Sequence, residues 1–343
     1  MINRLLILAI LAFTISFMLT PFVKKFAFHI NVIDIPKGKR KIHKKPIPLL
    51  GGLAIYISFI LTLIFKLGKL SNSELGIIIG ATIILIGGFI DDKWDIKPLY
   101  KLLFQIAATI FLIFFGVKIK IITNPFFTYN QYINIGCFSI PLTIIWVIGI
   151  TNAFNLIDGL DGLAAGVALI SSITILVIAL LNQRNEAAIL MAILSGSILG
   201  FLPYNFNPAS IFMGDTGSQL LGFLLASISI EGAIKSATAF AIAVPILALG
   251  LPIYDTLFAM IRRKINGKPI MQADKGHLHH RLLGLGLTQK QAVIIMYLVS
   301  AVLGSFAIIA MQISSQRSYF VLATVILILV IVAWKCGFFK HTD

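Results

Sequence analysis

Eleven mostly apolar stretches alternate with short polar segments along the chain. A helix needs about 20 predominantly apolar residues to cross a bilayer, and each stretch approaches or reaches that length. The stretches lie near residues 2–22, 50–66, 75–90, 99–116, 137–154, 163–181, 187–203, 217–230, 236–258, 290–311 and 318–335. The pattern predicts an all-α polytopic membrane protein with about eleven transmembrane helices in a single domain, residues 1–343.

Two segments depart from this simple pattern. The ninth stretch contains Pro245, Gly250 and Pro252, and broken spans are tolerated where they line a cavity enclosed by protein. After the fourth stretch, polar and apolar residues alternate with the period of a β-strand. We expect a small β-hairpin near residues 117–136 on the outer, periplasmic membrane surface, and a structural cap is its simplest role.

The composition narrows the class of protein further. Hydrophobic residues make up 58% of the 343 residues and charged residues only 12%, whereas soluble domains average about 45–50% apolar and about 25% charged residues. This balance excludes a soluble globular protein, a disordered chain and, despite the net charge of +15, a nucleic-acid binder. The two cysteines form no CxxC pair, so they indicate neither a disulfide framework nor a zinc site.

The positive charges fall mainly in alternate loops. Residues 23–49 hold eight Lys or Arg, residues 91–101 three, residues 259–290 seven and the C-terminal tail two, which is 20 of 28. Because cytoplasmic loops carry an excess of Lys and Arg, we expect this side to be cytoplasmic, with the N-terminus outside and the C-terminus inside. All ten Asp also fall on or near the basic side. Topology rules do not explain that sorting, so it indicates chemistry.

Two motifs place carboxylates at predicted cytoplasmic helix ends. Asp91 and Asp92 end the third stretch. Adjacent carboxylates are most useful with a cation or proton between them, and a solvated helix end is the alternative. The fifth stretch ends in polar residues at a spacing of three, which keeps them near one helix face: Asn152, Asn155, Asp158 and Asp161. Such a stripe offers ligands to a nucleoside or a metal, and a polar packing seam is the alternative.

A third motif, Gly-Asp-Thr-Gly, directly precedes the eighth stretch and contains Asp215. Free N–H groups at a helix N-terminus attract phosphate, and Mg²⁺ is usually held by one or two carboxylates together with substrate phosphates. Asp215 is therefore a candidate Mg²⁺ ligand, and a simple helix cap is the alternative interpretation.

The remaining candidates lie in the two largest basic loops. The last loop contains His277, His279, His280 and Arg281. With no cysteine nearby, contacts to anions and a sugar are favoured over a zinc site, and a solvated loop is the third interpretation. In the first loop we expect most lysines to set topology and bind anionic lipid, while Lys45, near a Gly-Gly turn, could reach a bound phosphate.

Four segments, GGFIDDKWDIKP, NAFNLIDGLDGLAAG, FMGDTGSQLLGF and HLHHRLL, occur in this order at helix ends. Together they resemble the polyprenyl-phosphate N-acetylhexosamine-1-phosphate transferases, of the glycosyltransferase family 4 type, over roughly residues 30–300. The peptidoglycan branch, which transfers phospho-N-acetylmuramoyl-pentapeptide, typically has three consecutive His followed by Phe in the last loop. HLHHRLL is similar instead to the bacterial branch that transfers GlcNAc-1-phosphate, in which Arg281 would help to read the sugar.

The resemblance implies a reaction in which UDP-GlcNAc and undecaprenyl phosphate give GlcNAc-diphosphoundecaprenol and UMP, initiating a cell-envelope glycopolymer. It implies Mg²⁺, which Mn²⁺ could replace, and a multi-pass protein of the bacterial plasma membrane. Family members form dimers, although this sequence shows no interface for a homodimer. The active site would face the cytoplasm and consist of loops 23–49, 91–98, 155–162, 204–216 and 259–289.

The family pattern also gives the motifs roles on this chain. The catalytic carboxylates would be Asp91, Asp92, Asp158 and Asp161. Asp91 would lie beside the attacking lipid phosphate, held in place by Asp92, and Asp215 would bind Mg²⁺, with Asp158 as a second ligand. Substrate contacts would come from Lys45, Asn152, Asn155, Gly159, Leu160, Phe212 (stacked on uracil), His277, His279, His280 and Arg281. Direct in-line attack is preferred to a covalent aspartyl-phosphate route.

A membrane transporter is the alternative from a different class, because broken spans and intramembrane charges occur there too. Transporters, however, place charged sites near the bilayer midplane, often in repeated halves. Here the Asp residues cluster at one set of helix ends, without a matching repeat. A membrane scaffold would not need ten Asp on one face.

Overall fold

The computed structural model describes residues 1–36, 45–66, 68–123, 132–234, 243–267, 269, 276–313 and 315–335. The helices are α1 (Ile2–His29), α2 (Gly51–Ile64), α3 (Asn72–Trp94), α4 (Pro98–Phe114), α5 (Ser139–Ile157), α6 (Leu163–Leu181), α7 (Asn185–Asn205), α8 (Gly214–Ser229), α9 (Ala243–Ala248), α10 (Gly250–Ile265), α11 (Leu278–Gly284), α12 (Gln289–Gln312) and α13 (Ser315–Lys335). The strands are β1 (Ile33–Asp34), β2 (Ile47–Pro48), β3 (Ile121–Thr123) and β4 (Tyr132–Asn134). A 3₁₀ turn covers Gly136–Phe138 and a π-helical turn Ile230–Ile234.

A helix lies at each of the eleven apolar stretches. Within the described part of the chain, six helices are long and apolar enough to cross a membrane by length and composition: α1, α3, α5 with the preceding 3₁₀ turn, α6, α7 and α12. Three shorter apolar helices lie at Gly51–Ile64, Pro98–Phe114 and Tyr319–Ile331. The chain is therefore built from apolar helices, while the number of eleven crossings and their orientation remain predictions.

The ninth stretch is broken, as its proline and glycine residues indicate. It forms α9 and α10, which meet at Leu249, and residues 235–242 before α9 lie outside the described residues. α10 then carries a short run of basic residues in its last turn, Arg262, Arg263 and Lys264.

Only part of the segment expected to form a hairpin is described as strand. β3 and β4 pair antiparallel, with Ile122 opposite Ile133, and residues 124–131 between them lie outside the described residues. The alternating residues 117–120 precede the strand. Within this segment, the backbone of Ile119 makes two hydrogen bonds to side chains of α5. Its N–H donates to Thr143 Oγ1 at 3.0 Å, and its carbonyl oxygen accepts from Ser139 Oγ at 2.5 Å.

The short helix α8 lies at the centre of the bundle. Every residue from Thr216 to Ser229 is buried, and α2, α3, α5, α6 and α7 pack around it. The start of α8 lies beside the ends of α3 and α5, so Asp91, Asp158 and Asp215 share one end of the bundle. We call this end the Asp-rich end. Packing against a central helix, rather than nearness in sequence, brings these three carboxylates together.

Candidate functional site

A cavity of about 1030 Å³ opens at the Asp-rich end. Its wall comes from α1, the β1–β2 pair, α3, the turn between α5 and α6, the loop before α8, and α11. The predicted site residues that line it are Lys45, Asp91, Asp92, Asn155, Asp158, Gly159, Leu160, Asp161, Phe212, Asp215 and His280. The wall does not include Asn152, His277, His279 or Arg281. The ends of α3 and α5 and the start of α8 thus line one cavity.

Lys101, which lies outside the four motifs, links two of the carboxylates. Its Nζ lies 2.5 Å from Asp91 Oδ2 and 2.9 Å from Asp215 Oδ2. A signal was available: α4 follows α3 after only three residues, 95–97, so the first turn of α4 must lie close to the last turn of α3. A lysine in that turn can reach back to the carboxylates.

Asp92 holds the start of α8. Its Oδ1 accepts from the Asp215 N–H at 2.8 Å, and its Oδ2 accepts from the Thr216 N–H at 3.0 Å and from Thr216 Oγ1 at 2.5 Å. Two of the N–H groups at this helix start, those of Asp215 and Thr216, are therefore bound to Asp92. The carboxylate fixes the backbone of Asp215, whereas we expected it to hold Asp91 in place.

The contact between α3 and α8 leaves no room for side chains at its tightest point. A Cβ on Gly88 would lie 2.5 Å from Thr216 Cα and 2.8 Å from the carbonyl oxygen of Asp215. Because both atoms belong to the backbone, neither can move aside without shifting the first turn of α8. Gly88 of the first motif is thus needed to place Asp92 against α8.

We expect Gly88→Ala to lower both stability and activity, because the added methyl group separates Asp92 from the start of α8. Overpacking of this kind costs about 1–3 kcal/mol, which thermal unfolding in detergent would measure. Gly149→Ala is the matched control, because a Cβ there meets nothing within 4 Å. Equal behaviour of the two variants would contradict this account of the α3–α8 contact.

A row of buried amides supports Asp215 from behind. Gln219 Nε2 donates to Asp215 Oδ2 at 3.0 Å, and Gln219 Oε1 accepts from Gln105 Nε2 at 3.0 Å. Asn152 Nδ2 then donates to Gln105 Oε1 at 2.8 Å. Asn152, predicted to contact substrate, therefore lies behind the cavity in this network. Its neighbour in the stripe, Asn155, does line the cavity and donates to Ser218 Oγ at 2.9 Å.

Asp158, just beyond the end of α5, lies among other acidic side chains. Burial, and then the charges of Asp215, Asp92 and Asp161, raise its pKa to about 8. No hydrogen bond from the described part of the chain offsets this effect. A cation in the cavity would relieve the repulsion, so the donor set fits a divalent metal.

The carboxylates do not form a closed metal cage. Within the described ranges, no three His, Cys, Asp or Glu side chains group closely enough to hold a metal on their own. Mg²⁺ characteristically takes one or two protein carboxylates and completes its shell with water and substrate phosphates. An open set of this kind is compatible with Mg²⁺ and is unlike a structural zinc site.

Asp161 and Asp158 differ in their partners, although they are three residues apart. Asp161 Oδ2 accepts from Asn207 Nδ2 at 3.0 Å and from the Ala209 N–H at 2.9 Å. Asp161 thus ties the turn after α5 to the loop that leads into α8, while Asp158 faces the cavity.

The histidines form a layer behind the turn at Gly159. His277 and His279 stack almost in parallel, with centroids 5.9 Å apart and planes at 8°, and the His279 and His280 centroids lie 4.2 Å apart. A Cβ on Gly159 would lie 2.3 Å from His279 Nε2, so glycine is required there. Burial, and then the neighbouring His280, lower the pKa of His279 to about 3. At this pKa His279 is neutral at pH 7, and it is not part of the cavity wall.

Comparison with known proteins shows the family of this chain. The model of glycosyl transferase family 4 matches residues 74–233. A Bacillus subtilis (strain 168) protein named as a probable undecaprenyl-phosphate N-acetylglucosaminyl 1-phosphate transferase is 40% identical over 98% of this chain and 94% of its own length. A Mycolicibacterium smegmatis decaprenyl-phosphate N-acetylglucosaminephosphotransferase is 32% identical, with 87% of this chain and 80% of its own covered. An Escherichia coli (strain K12) undecaprenyl-phosphate alpha-N-acetylglucosaminyl 1-phosphate transferase is 28% identical, with 96% and 88% covered.

The family match includes Asp91, Asp158 and Asp215, which the cavity brings together. The Bacillus relative extends the similarity to almost the whole chain. The family predicted from the four motifs is thereby confirmed: this chain belongs to glycosyl transferase family 4.

Proposed function

We propose that this protein transfers GlcNAc-1-phosphate from UDP-GlcNAc to undecaprenyl phosphate, with Mg²⁺, at the cytoplasmic face of a bacterial plasma membrane. The products are GlcNAc-diphosphoundecaprenol and UMP. The near-full-length similarity to the Bacillus subtilis protein carries the proposal, and the carboxylate-lined cavity supports it. The volume of about 1030 Å³ is at the upper end of small-molecule sites, roughly 300–1,000 Å³, and so has room for a nucleotide sugar.

In this reaction an oxygen of the lipid phosphate forms a bond to the phosphorus that carries the sugar, and the bond from that phosphorus to UMP breaks. Phosphoryl transfer depends on positioning and charge neutralisation more than on covalent help from the protein. When bound, Mg²⁺ would neutralise charge on the diphosphate, and Asp215 and Asp158 are the residues that would hold it.

The remaining roles fall to side chains of the chain itself. A phosphate monoester has a second pKa near 6, so the attacking lipid phosphate is mostly a dianion at neutral pH and needs little help from a base. Asp91 can take its last proton or orient it. Lys101, in contact with both Asp91 and Asp215, holds the two carboxylates at a fixed separation and lowers the repulsion that an incoming phosphate meets.

The nucleotide-sugar end of the cavity is assigned to the turn after α5 and the start of α11. The cavity wall includes Gly159, Leu160, Phe212 and His280. Of these, Phe212 would stack on uracil, and His280 would contact the sugar or its phosphate. The relatives named above are GlcNAc-1-phosphate enzymes, so neither the peptidoglycan branch nor a transporter is favoured.

The test is UMP release by purified protein given UDP-GlcNAc, undecaprenyl phosphate and Mg²⁺, repeated with EDTA. We expect release that requires both substrates, stops with EDTA and returns when excess Mg²⁺ or Mn²⁺ is added. Release with UDP-MurNAc-pentapeptide but not with UDP-GlcNAc would overturn the sugar assignment. No release with any nucleotide sugar, from protein that is demonstrably folded, would contradict the proposed function.

A further inference from the structure

A buried carboxylate outside the four motifs has no role in the reaction as described so far. Asp255 lies in α10 and is 5% exposed. A buried charge is costly unless it is paired or hydrogen-bonded, so the partners of Asp255 indicate what it does.

Both oxygens of Asp255 bind the same short segment. Oδ2 lies 2.8 Å from His277 Nδ1, and Oδ1 accepts from the Leu278 N–H at 2.8 Å. The first contact orients the imidazole and makes Nδ1 its donor nitrogen. The second fixes the backbone at the first residue of α11. One side chain therefore sets both the position of α11 and the ring that precedes it.

The contacts of Asp255 extend to the cavity through packed imidazole rings. His277, itself 5% exposed, stacks on His279, and His279 lies against Gly159. His280 follows in the same turn and lines the cavity. The chain of contacts thus runs from Asp255, outside the cavity wall, to the side chain assigned to the nucleotide sugar.

We propose that Asp255 is a positioning residue for the transferase: it holds His277 and the start of α11 against the turn at Gly159, so that His280 meets the nucleotide sugar. The proposal rests on the proposed function and deepens it, because it names a determinant of nucleotide-sugar use that does not touch substrate. The lipid phosphate is assigned to the region of Asp91 and Lys101, so its use should depend little on Asp255.

Asp255→Asn keeps the shape of the side chain and one acceptor for Leu278, but removes the carboxylate that accepts from His277. We expect kcat/KM for UDP-GlcNAc to fall about 10- to 100-fold, a range typical for loss of a histidine's hydrogen-bonded support. We expect KM for undecaprenyl phosphate to change less than about threefold, within the small coupling of independent sites. Steady-state UMP release, with each substrate varied in turn, measures both. Equal shifts for the two substrates would overturn the proposal.

A double-variant comparison shows whether Asp255 acts through His277. In a His277→Ala background, Asp255→Asn should add less than about a threefold further loss, because the partner is already gone. Multiplication of the two full losses would overturn the proposal. Ser195→Ala is the stability control, since it removes a buried 2.8 Å hydrogen bond between Ser195 of α7 and Ser172 of α6. It should lower the melting temperature without changing kcat/KM, and an activity loss matching that of Asp255→Asn would assign the effect to general destabilisation.

Hydrogen exchange provides a readout that needs no activity. In the substrate-free protein, the peptide covering Leu278–Gly284 should exchange faster in Asp255→Ala than in wild type, because the Leu278 N–H loses its acceptor. Unchanged exchange would contradict the anchoring role. If wild-type protein released no UMP, the proposed function would fail. The exchange measurement would still show whether Asp255 holds α11 in place.

Discussion

Replacing Asp215 with Asn should reduce UMP release by roughly 100- to 1,000-fold, the usual cost of removing one preorganised charge-stabilising group. Asn keeps the shape of the side chain and can still accept from Gln219, so α8 should remain in place. What it loses is the negative charge that would attract Mg²⁺ and that now contacts Lys101. Release measured over a range of Mg²⁺ concentrations should therefore show a lower maximum and a higher Mg²⁺ requirement.

The control for this variant is another acid-to-amide change at the other end of the bundle. Glu186 is exposed in the first turn of α7 and accepts a hydrogen bond from Ser71 Oγ. Glu186→Gln should leave turnover and the Mg²⁺ requirement unchanged. Near-normal turnover of Asp215→Asn, with an unaltered Mg²⁺ requirement, would remove Asp215 from the metal-binding role.

The second large effect is expected at Lys101, which only the structure revealed. Lys101→Met keeps much of the apolar stem but removes the cation between Asp91 and Asp215. The two carboxylates should then repel each other, and phosphates should meet an uncompensated negative site. We expect kcat to fall about 100-fold or more at saturating Mg²⁺. Lys101→Arg should recover only part of the activity, because the larger planar guanidinium cannot replace a compact ammonium group between two carboxylates.

Lys97→Met is the matched control, because Lys97 is exposed at the N-cap of the same helix. It should retain normal turnover in the same UMP-release assay. If Lys101→Met were as active as Lys97→Met, the bridge between Asp91 and Asp215 would be irrelevant to catalysis. If Lys101→Met failed to fold while Lys101→Arg folded and was fully active, the bridge would be structural alone.

The helices were predictable because hydrophobicity is a local property. A run of apolar residues predicts a buried or lipid-facing helix whatever its neighbours are, and α1, α6 and α12 lie where their runs predict. The glycines of the motifs were also informative, because they mark points of close approach. The backbone of α8 approaches Gly88, and the His279 imidazole ring approaches Gly159.

The roles of individual polar residues were harder to predict. Asn152 and Asn155 share a spacing and a helix face, yet one joins a buried amide network and the other lines the cavity. Their difference depends on where α4 crosses α5, which periodicity does not encode. The same is true of Asp91 and Asp92: adjacent in sequence, they face Lys101 and the start of α8 respectively.

The sequence by itself determined the class of protein, the places of its helices, the family and eleven of the residues that line the cavity, because these follow from composition, local patterns and short motifs. Tertiary structure alone decided which partner each polar side chain has. Lys101 meets Asp215 across 114 positions, Asp92 meets Thr216 across 124, and Asp255 meets His277 across 22. Such pairs depend on how separate helices pack against one another, and a hydrogen bond is made or lost over less than an ångström.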